Sequence, residues 1–462
     1  MKTIIVWFRN DLRAHDHPAL AAAIASGTHI LPLFICDDNL LKGQHSSPNR
    51  NRFLAESLTD LRQSLQTMGG DLIIRQGKAL RVLAELCSTY KATEIYCTED
   101  FTPYATKRDA IITRELAKKD MHLRQFPGRL IIDDPSTLKT KTGGAYKVFT
   151  PFWRQWQQQT RRAIAAQPQK LLLPKGIEPG VLPQLFHGDD VNLSPAVIQG
   201  GETAGRKRLR EFLQSGIATY RATHDVLSVD TSHLSAYFHF GCISSREAES
   251  LLPEGEVAAA WHRQLAWRDF YHYILLAYPS NTEQEFQERY RAMHWSYNEA
   301  ALEAWKQGKT GFPVVDAAMR QLQQQGWMHN RARLIVGSFL TKDLLLDWRL
   351  GEAHFMRLLV DGDTANNNGN WQWIASVGVD PAPLFRRLYN PTSQQQKYDP
   401  NGAYVRAYVP ELAHVPDEYL AEPWKMPPSL QAKYQCRIGV DYPTPIVDHA
   451  VARKAALEHY LV

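Results

Sequence analysis

Along the first 130 or so residues, short apolar runs alternate with stretches whose apolar side chains recur at helical spacing. The runs are Ile4–Phe8, Ile30–Cys36, Leu72–Arg75, Glu94–Cys97 and Leu123–Phe126. Each is bounded by polar or turn residues, which predicts strands buried on both faces. Between them, Phe53, Leu54, Leu58, Leu61 and Leu65, then Val82, Leu83 and Leu86, fall on helical stripes. Strands alternating with helices predict βαβ units, and hence a doubly wound parallel sheet. The first strand runs into Arg9-Asn10-Asp11-Leu12-Arg13 instead of a Gly-x-Gly-x-x-Gly turn, so the usual dinucleotide fingerprint is absent. Ligands of such sheets sit at the carboxyl ends of the strands, here Arg9, Asp37 and the Glu99–Tyr104 loop.

From Pro127 to Gly201 the pattern dissolves into Pro, Gly and polar residues, with one Trp-rich helical piece at Phe152–Trp156. After Gly201 the β-type runs disappear. Helical spacing then dominates, as in Arg331–Trp348, where Ile335, Val336, Phe339, Leu340, Leu344 and Leu345 form one stripe. The predicted architecture is α/β plus all-α: a parallel-sheet domain over 1–128, a linker over 129–200 and a helical domain over 201–462.

Composition adds little to this outline. The chain has 462 residues, 44% hydrophobic and 22% charged, as globular proteins do. The apolar run at the N-terminus is cut off by Arg9, too short for a signal peptide core. Five scattered cysteines (Cys36, Cys87, Cys97, Cys242, Cys436) lack the close pairs of zinc sites, which predicts a reduced, cytoplasmic setting and no metal. A net charge of +5 permits nucleic acid binding without arguing for it. Nine of the twelve tryptophans lie between Trp261 and Trp424, either as filler of a large helical core or as a pocket for flat aromatic groups.

Four constellations in the helical half invite a chemical reading. Thr231-Ser232-His233-Leu234-Ser235, with Tyr220 upstream, reads as an ordinary helix cap or as a place for phosphate oxygens. In Trp261-His262-Arg263-Gln264-Leu265-Ala266-Trp267, Gln264 and Trp267 are three apart and share a helix face. An amide beside a large ring both hydrogen-bonds a base edge and stacks on it, though an amphipathic helix with an aromatic stripe reads the same way. Gly326-Trp327-Met328-His329-Asn330-Arg331-Ala332-Arg333 enters a helix after a glycine, with side chains suited to phosphates or to plain surface charge. Asp361-Gly362-Asp363-Thr364-Ala365-Asn366-Asn367-Asn368-Gly369-Asn370-Trp371-Gln372-Trp373 is poor helix and poor strand material, which predicts a functional loop.

Together with Val6-Trp7-Phe8-Arg9-Asn10-Asp11-Leu12-Arg13, Gly308 to Arg320 and Asn390-Pro391, these motifs resemble the photolyase/cryptochrome family along nearly the whole chain, in that family's order and spacing. The resemblance points to its class I cyclobutane pyrimidine dimer photolyases. It implies a bent FAD in the helical domain, held by Tyr220, Thr231, Ser232, His233, Leu234, Ser235 and Trp261, with Asp361, Gly362 and Asp363 beside it and Arg333 pairing to Asp361. Asn367 falls opposite flavin N5, where an amide suits a reduced ring and plant cryptochromes carry Asp. Trp371, Trp348 and Trp295 match the family's electron chain, proximal to distal. Trp267 and Trp373 match the residues that pack a dimer flipped out of DNA. Gln264, His224, Asn330, Arg331 and Gln394 match substrate and DNA contacts.

Three departures from the family pattern stand out: Gln264 for the usual Glu, Leu334 for the usual Met, and His224 for a basic Arg. Gln264 is also similar to (6-4) photolyases, but those carry histidines at the positions of Asn330 and Leu334. Asp100-Phe101-Thr102-Pro103-Tyr104 resembles an antenna-binding loop, and Ala105 stands where folate binders have Glu. A second chromophore is thus a deazaflavin, a flavin or a folate. The resemblance implies a monomeric, DNA-binding repair enzyme, with a signalling cryptochrome as the alternative.

Overall fold

The computed structural model describes residues 2–26, 29–41, 43 and 46–461. Five strands, β1 (Thr3–Phe8), β2 (His29–Cys36), β3 (Ile73–Gln76), β4 (Ala92–Thr98) and β5 (His122–Phe126), form one parallel sheet in the order β3-β2-β1-β4-β5. Each overlaps its predicted run to within two residues at either end. Alternation on β1 shows why the run is continuously apolar: Ile4, Val6 and Phe8 pack toward one face, and Ile5 and Trp7 toward the other. The four crossovers between strands carry α1 (Pro18–Ala25), α2 (Pro48–Thr67), α3 (Ala79–Tyr90) and α4 (Pro103–Ala117), with a short turn of helix at Asp38–Leu41 before α2.

The layer under Ile4, Val6 and Phe8 is not closed off within the sheet domain. It continues into Phe238, Trp261 and Phe270 of the helical half, so both halves share one hydrophobic core. A second core holds Trp305, Val336, Trp348 and Trp371. Further helices contribute to these two cores, among them α5 (Phe149–Gln157), α6 (Glu256–Ala277), α7 (Asn330–Ser338), α8 (Trp348–Leu358) and α9 (Thr364–Ile374). The Trp-rich piece of the linker is thus a helix, α5, and it packs on α6.

Two expectations are corrected. The stripe from Arg331 to Trp348 is not one helix: α7 passes into a π-turn at Phe339–Asp343, and the chain reverses at Leu345, which adopts φ 52°. Leu346 then bridges Ser296, and a new helix starts at Trp348. The Asn-rich run is no loop either, because Thr364–Ile374 is helical. Asp363 caps it by accepting from the Asn366 N–H, and Asn368 is tied to Asn281 and Gln372. Tertiary hydrogen bonds supply what intrinsic propensity withholds. Among the described residues no helix is long and apolar enough to cross a membrane.

Candidate functional site

A cavity of about 470 Å³ opens in the helical half, within the size range of cofactor pockets. Its walls come from residues 220–239, from α6, from the start of α7, from Phe355 on α8, and from α9 with the residues just before it. Tyr220, Thr231, Ser232, His233, Leu234, Ser235, Trp261, Arg333, Asp361, Asp363 and Asn367 all border it. So do His224, Gln264, Trp267, Asn330, Arg331, Leu334, Trp371 and Trp373. The sequence-predicted residues that do not border it are Gly362, Trp348, Trp295 and Gln394. Gly362 backs onto Arg50, with no room for a Cβ.

The anionic side of the cavity is built from buried charge. Asp363 lies 3.1 Å from Arg129, 3.4 Å from His272 and 3.5 Å from His239. Burial alone would raise its pKa, but these three neighbours hold it well below the usual carboxylate range. Asp361 accepts from Arg333 at 2.8 Å through Oδ2, while its buried Oδ1 has no hydrogen-bond partner among the described residues. Asn367 donates from Nδ2 to the backbone carbonyl of Glu352 at 3.0 Å and to its carboxylate at 2.8 Å. The carbonyl only accepts, which fixes the nitrogen on that side and leaves the amide oxygen for a ligand. Burial pushes the Glu352 carboxyl upward, against the Asn367 hydrogen bond and Arg50.

Thr231–Ser235 leads into a helix, as its hydroxyl residues suggest, but no side chain of the run caps it through a hydrogen bond. The helix there spans only Ser235–His239, and Leu234 caps it without a side-chain bond. The hydroxyls remain at the cavity edge. His233 packs its ring 3.8 Å from Trp327 and pairs with Asp230 at 2.6 Å.

At the mouth, Trp267 and Trp373 are half-buried and Gln264 and Asn330 are exposed. His224 stacks on Tyr220, with ring centroids 5.1 Å apart. Arg331 is already engaged, by Asp225 at 2.6 Å and by the Tyr398 ring at 4.4 Å, so a phosphate must share or displace Asp225.

Trp371 lies against α8, where a Cβ at Gly351 would overlap its ring. Gly351 is three residues after Trp348, close to one helical turn. Trp348 is buried and donates from Nε1 to Glu285 at 3.2 Å. Trp295 precedes Ser296, whose N–H reaches the Leu345 carbonyl at 2.8 Å, beside the start of α8. The segments that carry the three indoles thus meet around α8. Sequence reasoning missed Glu352, Arg129 and His272, which act through other residues and carry no motif of their own.

The donor set fits FAD. Unpartnered buried atoms at Asp361 Oδ1, His329 Nε2 and Trp371 Nε1 lie beside the flat surfaces of Trp261 and Phe355. Charged residues line the carboxyl ends of the strands, among them Arg9, Asp100 and Arg129. Arg9 is tied there to Asp109 and to the Thr98 carbonyl, and the space between Arg9, Glu99, Asp100 and Arg129 is about 10 Å³, room for about one water.

Residues 4–174 match the DNA photolyase family, and residues 261–461 match the FAD binding domain of DNA photolyase. The deoxyribodipyrimidine photo-lyase of Alkalihalophilus pseudofirmus is 40% identical over 98% of this chain and 97% of its own. Among solved structures, the class III photolyase of Agrobacterium tumefaciens superposes with a TM-score of 0.92 at 34% identity, covering 100% of this chain and 97% of that one. A Synechocystis cryptochrome gives 0.91 at 29% identity, covering 99% of each chain. An archaeal photolyase of Sulfolobus tokodaii with two FAD molecules gives 0.85 at 30% identity, again covering 99% of each. With this fold, this cavity and relatives matched from end to end, the chain belongs to the photolyase/cryptochrome family.

Proposed function

We propose that this chain repairs cyclobutane pyrimidine dimers in DNA under blue light. The observation that carries the reading is the mouth of the cavity, where Trp267 and Trp373 border the same space as Gln264 and Asn367. A duplex hides its bases, so a dimer must be extruded, and a distorted pair unstacks at lower cost than intact bases. Trp267 and Trp373 then offer ring faces for the extruded pair, each worth about 1–3 kcal/mol per base. Gln264, exposed beside Trp267, hydrogen-bonds a pyrimidine carbonyl. Asn330, Arg331 and His224 line the approach for the flanking backbone, and Gln394, on the helix after Asn390, extends it.

Arg333 with Asp361, Asp363 with its three basic neighbours, and the Thr231–Ser235 hydroxyls hold FAD. Asn367 presents an amide oxygen that accepts an N–H from the ring. When bound and reduced, FAD supplies the electron that opens the dimer on light absorption. Trp371, Trp348 and Trp295 relay an electron from an external reductant inward to bring oxidised FAD to its reduced state; opening the dimer itself consumes none.

Class I, expected from the motifs, stands beside a class III photolyase of 34% identity, so the proposal is made of the reaction and not of the class. A signalling cryptochrome is the second reading, favoured by the 0.91 TM-score to one. Illuminating reduced protein with oligonucleotides bearing one defined lesion separates them. Restored thymines from the cyclobutane substrate are expected. Repair of a (6-4) lesion alone, or of neither, overturns the proposal.

A further inference from the structure

The two tryptophans at the mouth are not independent. Trp267 lies flat on Phe149 of α5, with centroids 3.7 Å apart and planes 5° from parallel. One face of its ring is therefore covered, Phe270 and Tyr271 each lie with ring centroids 5.6 Å away, and the ring still borders the cavity. Phe149 is buried, and its backbone N–H donates to Asp380 Oδ1 at 3.1 Å. The other oxygen, Asp380 Oδ2, accepts from the Trp373 indole N–H at 3.3 Å. A single carboxylate thus bridges the backing of one wall and the ring of the other.

Asp380 is itself held. Its N–H donates to the Lys147 carbonyl at 2.8 Å, just before α5, and its own carbonyl accepts from Arg387. Arg387 lies over the Trp373 ring at 3.8 Å and donates to the Trp373 carbonyl at 2.9 Å. Asp380 adopts φ 54°, a left-handed conformation that a non-glycine residue keeps only when its surroundings enforce it.

We propose that Asp380 is a positioning residue that fixes the gap between Trp267 and Trp373, so the mouth is a pre-formed slot for two covalently joined, flipped-out bases. The inference rests on the dimer-repair reading of the cavity mouth. Fixing both walls before binding removes the ordering cost from the encounter with damaged DNA, and undamaged strands, which do not fill the slot, gain nothing from it. Asp380 touches neither substrate nor flavin in this role. Its effect runs through the tryptophans.

The test uses FAD-loaded protein in the dark, with an oligonucleotide carrying one thymine dimer and its undamaged twin. Asp380→Ala should lower the preference for damaged DNA about ten-fold, within the range of one lost stacking contact, with FAD content unchanged. Asp380→Asn keeps an acceptor oxygen for one of the two donors and should recover part of the loss. In a Trp267→Ala/Trp373→Ala protein, Asp380→Ala should change nothing further. Should Asp380→Ala fail to fold, Phe149→Leu decides, because it keeps apolar volume but removes the flat backing. It should weaken dimer binding in the native background and not in Trp267→Ala. The proposal is overturned if either variant, with full FAD, discriminates as the native protein does, or loses binding equally without the tryptophans. If the double tryptophan variant itself discriminates normally, the dimer reading of the mouth fails along with it.

Discussion

Asn367 and Trp371 stand one helical turn apart on α9, and each has a consequence that its neighbours dictate. The Asn367 amide nitrogen sits 2.8 Å from the Glu352 carboxylate, whose pKa burial already pushes up. Asn367→Asp would place two carboxyl groups at that distance, and such a pair holds a shared proton, raising its folded-state pKa above the unfolded value. A raised pKa contributes stability that is present below the unfolded carboxylate range and lost as pH rises through the folded value. The variant should therefore lose stability relative to the native protein between about pH 5 and pH 7, by about 1–3 kcal/mol, read from urea midpoints at the two pH values. Trp371 is buried with an unpartnered Nε1 at the cavity wall. Trp371→Phe should abolish photoreduction of oxidised FAD, because a phenyl ring is much harder to oxidise. Dimer repair from chemically reduced protein should survive, and undiminished photoreduction would remove Trp371 from the relay.

At the scale of elements, α8 and α9 meet where Gly351 lets the Trp371 ring lie flush against the helix. Alanine is normally the better helix former by about 0.5–1 kcal/mol. Here a Cβ would overlap the indole and crowd Leu340, and overpacking costs about 1–3 kcal/mol. Gly351→Ala should thus be destabilising by about 1–2 kcal/mol, the reverse of its propensity, as a lower midpoint in denaturant would show. The strands and α2 were legible in the sequence because burial on two faces, or on one stripe such as Phe53, Leu54, Leu58, Leu61 and Leu65, writes its period directly into residue order. The identity of α9 as a helix was not, because its asparagines are held by Asp363, Asn281 and Glu352 from elsewhere in the fold.

Over the whole molecule, Arg129 ties the two halves to the cavity. It donates to the carbonyls of Asn10, at the end of β1, and His239, in the helical half, and to Asp363 at 3.1 Å. Arg129→Leu would leave Asp363 buried with less compensation, a loss of about 3–5 kcal/mol when one partner of a buried pair is removed. The depressed Asp363 pKa contributes stability that is present above the unfolded carboxylate range and lost as pH falls through the folded value. Without Arg129 that folded value rises, so acid destabilisation should begin at a higher pH, and FAD should be released more readily. Urea midpoints from pH 7 to pH 3, with flavin fluorescence of the released cofactor, check both. An unchanged acid limb would mean that His272 and His239 suffice.

Residue order by itself determined the parallel sheet, the helical second half and most of the cavity lining, because each follows from local period or from motifs whose residues are close in sequence. Even the pairing of Arg333 with Asp361, implied by family resemblance, appears at 2.8 Å. Only the tertiary structure decided that Arg331 is already paired with Asp225, that the stripe from Arg331 breaks at Leu345, and that Arg9 at the strand ends is tied to Asp109. It alone revealed Asp380 between the two mouth tryptophans. The reason is physical: a carboxylate acts on whatever donors lie within about 3 Å of it, and Phe149, Trp373 and Asp380 reach that distance only once α5, α6 and α9 have packed.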